Sequence, residues 1–177
     1  AAGNVGDPDE FAVTVLPGEA QECDETVTGR HNGGLRVADG VTCLEGATVN
    51  GEVTVAAGAS LVATDSTVRG GLEAGGAEVV QLLGTTVNGA TEIADTGTDV
   101  TASGSTFNGG IILTGNTQVP PDEGAERFSE FGFEYGPILA GNTVNGDLSC
   151  DGNSAAVADF GAANEVSGSA SGDCADL

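Results

Sequence analysis

Along this chain, apolar and polar residues alternate in short runs, and one run recurs. It reads Thr48-Val49-Asn50-Gly51, Thr67-Val68-Arg69-Gly70, Thr86-Val87-Asn88-Gly89, Thr106-Phe107-Asn108-Gly109 and Thr143-Val144-Asn145-Gly146. A weaker copy, Thr26-Val27-Thr28-Gly29, opens the series, and Glu165-Val166-Ser167-Gly168 closes it. The closing glycines follow one another at intervals of 22, 19, 19, 20, 37 and 22 residues. The interval of 37 is about two of the others, so one copy is expected to be degenerate or replaced. Two further alternating runs lie between tetrads. One follows the Gly, as in Glu52-Val53-Thr54-Val55 and Thr91-Glu92-Ile93-Ala94; the other precedes the next tetrad, as in Ser60-Leu61-Val62-Ala63-Thr64 and Asp99-Val100-Thr101-Ala102. Gly, Asn and Asp separate them, as turns require.

Three short strands and three turns in about 20 residues describe one triangular coil, and stacked coils put like strands in parallel register. The predicted fold is all-β: a right-handed parallel β-helix of about seven coils, roughly 35 Å long at about 4.8 Å per coil. The chain reads as a single domain over 1–177. Residues 1–22 form an N-terminal cap segment, 23–117 the first coils, 118–136 an insertion, and 137–177 the final coils and C-terminal cap. Inward Val, Leu and Ile of each coil stack on those of the next, which gives a thin continuous core without large aromatics. The Gly after each tetrad is expected to supply a positive φ or a tight corner. Phe11-Ala12-Val13-Thr14-Val15-Leu16 is expected to cap the first coil, and Phe160 to do similar work near the last.

Composition agrees with a thin core: 30 Gly against six Phe, one Tyr and no Trp. Charge narrows the partners. Asp and Glu number 27 against four basic residues, all Arg, for a net of −23. Phosphate recognition draws on Lys and Arg, so nucleic acid is a poor partner. An anionic membrane surface is no better, and no apolar run is long enough for membrane insertion. Four Cys without a CxxC and a single His do not read as a zinc or redox site; two disulfides are the simpler reading and imply an oxidising compartment. Cys23 and Cys43 are 20 apart and Cys150 and Cys174 are 24 apart, each close to one coil. Residues one coil apart lie within disulfide reach, so pairing 23–43 and 150–174 would staple both ends. The chain is expected to be a mature secreted, extracellular protein.

The stretch from Cys23 to Cys174 resembles a family of small secreted actinobacterial proteins with Thr-Val-x-Gly repeats. The likeness is carried by Gly141-Asn142-Thr143-Val144-Asn145-Gly146-Asp147-Leu148-Ser149-Cys150-Asp151-Gly152-Asn153, then Asn164-Glu165-Val166-Ser167-Gly168 and Gly172-Asp173-Cys174. It implies a β-helix and export, and no particular activity. More distantly the repeat is similar to that of bactofilins, β-helices that polymerise end to end.

Catalytic chemistry is not expected. Secreted β-helix lyases need a basic residue beside bound calcium, whereas Arg30, Arg36, Arg69 and Arg127 are scattered. Hydrolases need a tight set of carboxylates; here acids are spread out, and the candidate cluster Asp122, Glu123 and Glu126 sits in the insertion. His31 reads as a surface residue. No metal ligands or other cofactor can be named, although so acidic a surface leaves room for weak calcium binding. Two surfaces are candidates for binding. One is the insertion, with Phe128, Phe131, Phe133 and Tyr135. The other is a ladder face. If the tetrad Val point inward, Thr48, Thr67, Thr86, Thr106 and Thr143 point out with Asn50, Asn88, Asn108 and Asn145, and Arg69 breaks the row. This array resembles the Thr-x-Thr ladders of insect ice-binding β-helices. The expected function is a non-catalytic structural or binding module of the extracellular space or cell envelope, with a cell-surface partner or self-association. End-to-end filament formation and ice binding are the alternatives. Acid-rich ends, seven acids and no base in 1–25 and six acids and no base in 146–177, argue against filaments at low salt.

Overall fold

The computed structural model describes residues 22–117 and 136–177. They form a parallel β-solenoid of seven coils, with no helix among the described residues. The first coil holds β1 (Glu25–His31) and β2 (Leu35–Val37), the second β3 (Val41–Val49) and β4 (Val53–Val55). The third holds β5 (Ser60–Thr64), β6 (Thr67–Val68) and β7 (Leu72–Gly75), the fourth β8 (Val79–Leu83), β9 (Thr86–Val87) and β10 (Thr91–Ala94). The fifth holds β11 (Asp99–Ser103), β12 (Thr106–Phe107) and β13 (Ile111–Thr114), and the sixth β14 (Ile138–Ala140), β15 (Thr143–Val144) and β16 (Leu148–Asp151). The seventh holds β17 (Glu165–Val166) and β18 (Ala170–Gly172), with a lone bridge from Ala158 to Ile138 on its remaining side.

Pairing defines an eleven-stranded and a seven-stranded sheet. The larger one is two faces of a triangular prism, because β1 and β3 run round one corner without a break. Thr42–Glu45 of β3 lie against Glu25–Thr28 and β5, whereas Thr48–Val49 lie against Arg30–His31 and β6. The first face is therefore the leading parts of β1 and β3 with β5, β8, β11 and β14. The second is their trailing parts with β6, β9, β12, β15 and β17. The third is the seven-stranded sheet.

Two details differ from the reading of the repeat. The first tetrad is Arg30-His31-Asn32-Gly33, since Arg30 and His31 pair with Thr48 and Val49, while Thr26 and Val27 pair with Cys43 and Leu44 on the first face. Similarity at the sequence level favoured Thr-Val; backbone pairing overrides it. The interval of 37 conceals no extra coil, because β12 pairs directly with β15 and β13 with β16. The fifth coil, described up to Thr117, and the sixth, described from Gly136, stack in unbroken register.

The core is a set of columns. On the second face Val49, Val68, Val87, Phe107 and Val144 are all buried in line. On the first, Leu44, Ala63, Leu82, Ala102 and Leu139 alternate large and small. At the ends several inward residues are only partly buried: Val27 and Leu35 in the first coil, Val166 and Ala170 in the last. The turn after β18 brings Cys174 and Leu177 onto the core. Phe160 does not cap the stack. It is 71% exposed, held at φ 51° by a turn in which Asp159 accepts from Gly161 N at 2.8 Å.

Among the tetrad glycines, Gly29 of the weak copy and Gly33 of the first tetrad have positive φ, at 67° and 96°, whereas the later ones serve tight corners without it. There the positive-φ positions precede the tetrads, at Gly46, Asp65, Gly84, Gly104 and Gly141. Gly89 is needed for space. A Cβ there would lie 2.6 Å from the backbone N of Gly71 in the coil beneath, closer than real Cβ contacts come. Gly146 stands likewise 2.6 Å above Gly110 N.

Candidate functional site

The second face gathers the predicted ladder. Parallel pairing sets Thr48, Thr67, Thr86, Thr106 and Thr143 in one outward column, all half-buried, with each neighbour one coil away. Each flanks a buried inward residue, so the core beneath sets where its backbone lies. None of the five hydroxyls is hydrogen-bonded to another described residue.

Beside the Thr column runs a row of amides. Asn108 Nδ2 donates to Asn88 Oδ1 at 2.7 Å, and Asn145 Nδ2 donates to Asn108 Oδ1 at 2.8 Å. Asn50 Nδ2 donates to Asn32 Oδ1 at 2.9 Å. The row therefore starts at Asn32 and is interrupted once, at Arg69. There Asn50 Oδ1, buried at the atom level, is left without a donor.

Charge on this face is unusual for a chain of net −23. From Arg30 to Asn145 its outward strand positions carry no carboxylate, while Arg30 heads the Thr column and Arg69 interrupts the amide row. Glu165, paired with Thr143, ends the Thr column in the seventh coil. Acids lie at corners, such as Asp65, Glu52 and Asp147, on the first face at Glu25, Glu45 and Asp99, and on the third face, where Glu73 and Glu92 are direct neighbours.

The remaining predicted positions separate clearly. Phe128, Phe131, Phe133 and Tyr135, the acids Asp122, Glu123 and Glu126, and the strand expected over 11–16 lie outside the described residues. Disulfides join Cys23 to Cys43 and Cys150 to Cys174, with Cα separations of 5.7 and 5.4 Å. They are offset from strict coil register: the partner of Cys43 in the sheet is Thr26, and that of Cys150 is Gly172. His31 is half-buried in the inward column under Val49, its Nε2 3.2 Å from Gly34 O. Among the described residues no three His, Cys, Asp or Glu side chains group so as to hold a metal ion. No helix among them is long and apolar enough to cross a membrane.

Sequence reasoning missed two polar columns inside the corners. Ser66 Oγ accepts from Ala47 N at 3.0 Å, Ser105 Oγ from Thr85 N at 3.1 Å, Asn142 Oδ1 from Ser105 N at 2.9 Å and Asn164 Oδ1 from Asn142 N at 3.0 Å. At a second corner Thr96 N donates to Asn116 Oδ1 at 3.0 Å, and Asn116 N to Asn153 Oδ1 at 3.1 Å. These side chains satisfy corner amides that would otherwise be buried unpaired. The signal was present, since Ser66, Thr85, Ser105, Asn142 and Asn164 each stand immediately before a tetrad.

No protein-family model matches the chain, no curated protein is similar to it, and no solved structure matches it.

Proposed function

We propose that this protein is a non-catalytic, secreted module of the extracellular space: a rigid acidic rod that offers its Thr-Asn face to a partner. The observation that carries the reading is the column of five Thr hydroxyls, fixed one coil apart and unengaged by other described residues. Hydrogen-bonding groups fixed in advance lose little freedom on binding, which favours recognition of a regular, extended target. Two disulfides suit an oxidising compartment. A net charge of −23 keeps such rods dispersed outside the ladder face.

The test is retention on insoluble cellulose, chitin and whole cell wall, with release of sugar monitored in parallel. Thr86→Tyr and Thr106→Tyr should lower retention by at least about ten-fold, equivalent to roughly 1.4 kcal/mol, with melting temperature unchanged. Sugar release by the wild type, or retention indifferent to both substitutions, would overturn the reading.

Ice binding is a second reading, favoured by one observation. Direct pairing of Thr106 with Thr143 makes the Thr column continuous from the fifth coil to the sixth despite the interval of 37 residues. Wild type should then facet ice crystals and Thr86→Tyr should not; unshaped crystals with the wild type remove this reading.

A further inference from the structure

We propose that the ladder face, when no extended target occupies it, also pairs with a second copy of this chain, packed face to face with the two rods antiparallel. The inference rests on the reading of that face as the binding surface. It comes from the order of residues down the face. The Thr column starts with Arg30 in the first coil and ends with Glu165 in the seventh. A two-fold axis along β9, in the middle coil, keeps every position along the strand and reverses the order of the coils. The column then meets itself upside down. Arg30 lies opposite Glu165 of the second copy at one end, and Glu165 opposite Arg30 at the other. In the amide row the same rotation sets Arg69 opposite Asn108, whose carbonyl can accept from a guanidinium, and Asn88 opposite Asn88. The two strand rows are thus self-complementary in the sense a closed two-fold dimer requires, while the corner acids Glu52 and Asp147, which the rotation also sets opposite one another, stay at the edge of the contact.

The third face fails the same test. Its middle coil presents Glu92, so the rotation places Glu92 on Glu92, with Glu73 one coil away. Two chains of net −23 can approach closely only where the strands carry no like charges, and the second face offers that from Arg30 to Asn145. Area limits the affinity. Two rows of side chains over seven coils cover a few hundred Å² per copy, against about 800 Å² per partner in a standard stable interface. The dimer is therefore weak, and it strengthens with salt. Long-range repulsion between the rods is screened beyond about 8 Å at physiological ionic strength, while the Arg30–Glu165 contacts are short and less affected.

The full chain is tested by sedimentation equilibrium at high protein concentration in rising NaCl. The expected result is a monomer–dimer equilibrium that stops at the dimer and shifts toward it with salt. Arg30→Glu and Glu165→Arg should each weaken dimerisation by about ten-fold, and the double exchange should restore it. A bismaleimide reaching about 10 Å, the usual spacing of packed sheets, should join copies carrying Thr86→Cys and not those carrying Ser149→Cys on the third face. A monomer at every salt concentration overturns the proposal, as does association indifferent to the charge exchange. So does growth beyond the dimer without cross-linking at position 86, which marks head-to-tail stacking. A monomeric wild type that still loses retention on a polymer through Thr86→Tyr would sink the dimer while sparing the binding face.

Discussion

At the scale of the residue, Arg69 and Asn50 show how one position can break a cooperative row. Asn50 Oδ1 has no donor because the next coil presents a guanidinium side chain where the pattern elsewhere supplies an amide. Arg69→Asn should close the row, giving a donor to Asn50 and an acceptor to Asn88. Each amide hydrogen bond contributes about 0.5–1.5 kcal/mol net, and these are near the surface, so a gain of about 1 kcal/mol is expected. That is an increase in melting temperature of roughly 2–4 °C for a chain of this size. The melt should be measured in about 1 M NaCl, where the screening length is about 3 Å and loss of a positive charge matters little. An unchanged or lower melting temperature would show that the row adds nothing to stability. Gly89 illustrates the opposite constraint at this scale. A sequence reader assigns such a Gly to backbone conformation, whereas its φ is ordinary and the missing Cβ is what lets coils approach.

At the scale of the element, most strands, of two to five residues, are too short to be stable alone, and their columns hold them. The first-face column Leu44, Ala63, Leu82, Ala102, Leu139 fits because large and small side chains alternate, Leu82 lying between Ala63 and Ala102. Leu82→Ala should therefore cost about 2–5 kcal/mol, the usual range for a buried Leu. Ala63→Leu should cost about 1–3 kcal/mol through overpacking against Leu44 and Leu82. Together they should be coupled, since Leu at 63 can enter the space vacated at 82. The double variant should be at least about 1 kcal/mol more stable than the two costs added. Urea unfolding of the four proteins measures this; strict additivity would mean that the columns do not pack as continuous units. The inward period-two pattern was legible here because burial alternates along each strand. The alternation of size between coils was not, since it is visible only once residues 19 or 20 apart are known to touch.

At the scale of the whole molecule, the solenoid is close to one-dimensional, so each coil is supported by its neighbours alone. The disulfides act where a neighbour is lacking. Cys174 is fully buried against the last coil, and its bond to Cys150 closes a separation of 24 residues. Losing a bridge of this span costs about 3 kcal/mol. In a solenoid that loss should remain local. In Cys150→Ser/Cys174→Ser, hydrogen exchange should accelerate strongly over β16, β17 and β18, and hardly at all over β5 to β10. Uniform acceleration through all coils would mean that the rod unfolds as one unit.

The repeat, the three strands per coil, the parallel stacking, the terminal disulfide pairs and the membership of the Thr-Asn face were all readable from the sequence. Each follows from local periodicity: side chains alternate along a strand, and a period near 20 returns the chain to the same face. Three things were decided only by tertiary structure. Pairing of β1 with β3 made Arg30-His31-Asn32-Gly33 the first tetrad, because backbone register outweighs likeness of side chains. Pairing of β12 with β15 kept the Thr column whole across the interval of 37 residues. The inward polar columns arose because a corner that turns tightly leaves an amide with no strand partner, and only a side chain from the adjacent coil can reach it. All three depend on contacts between coils, which the distance along the chain does not specify.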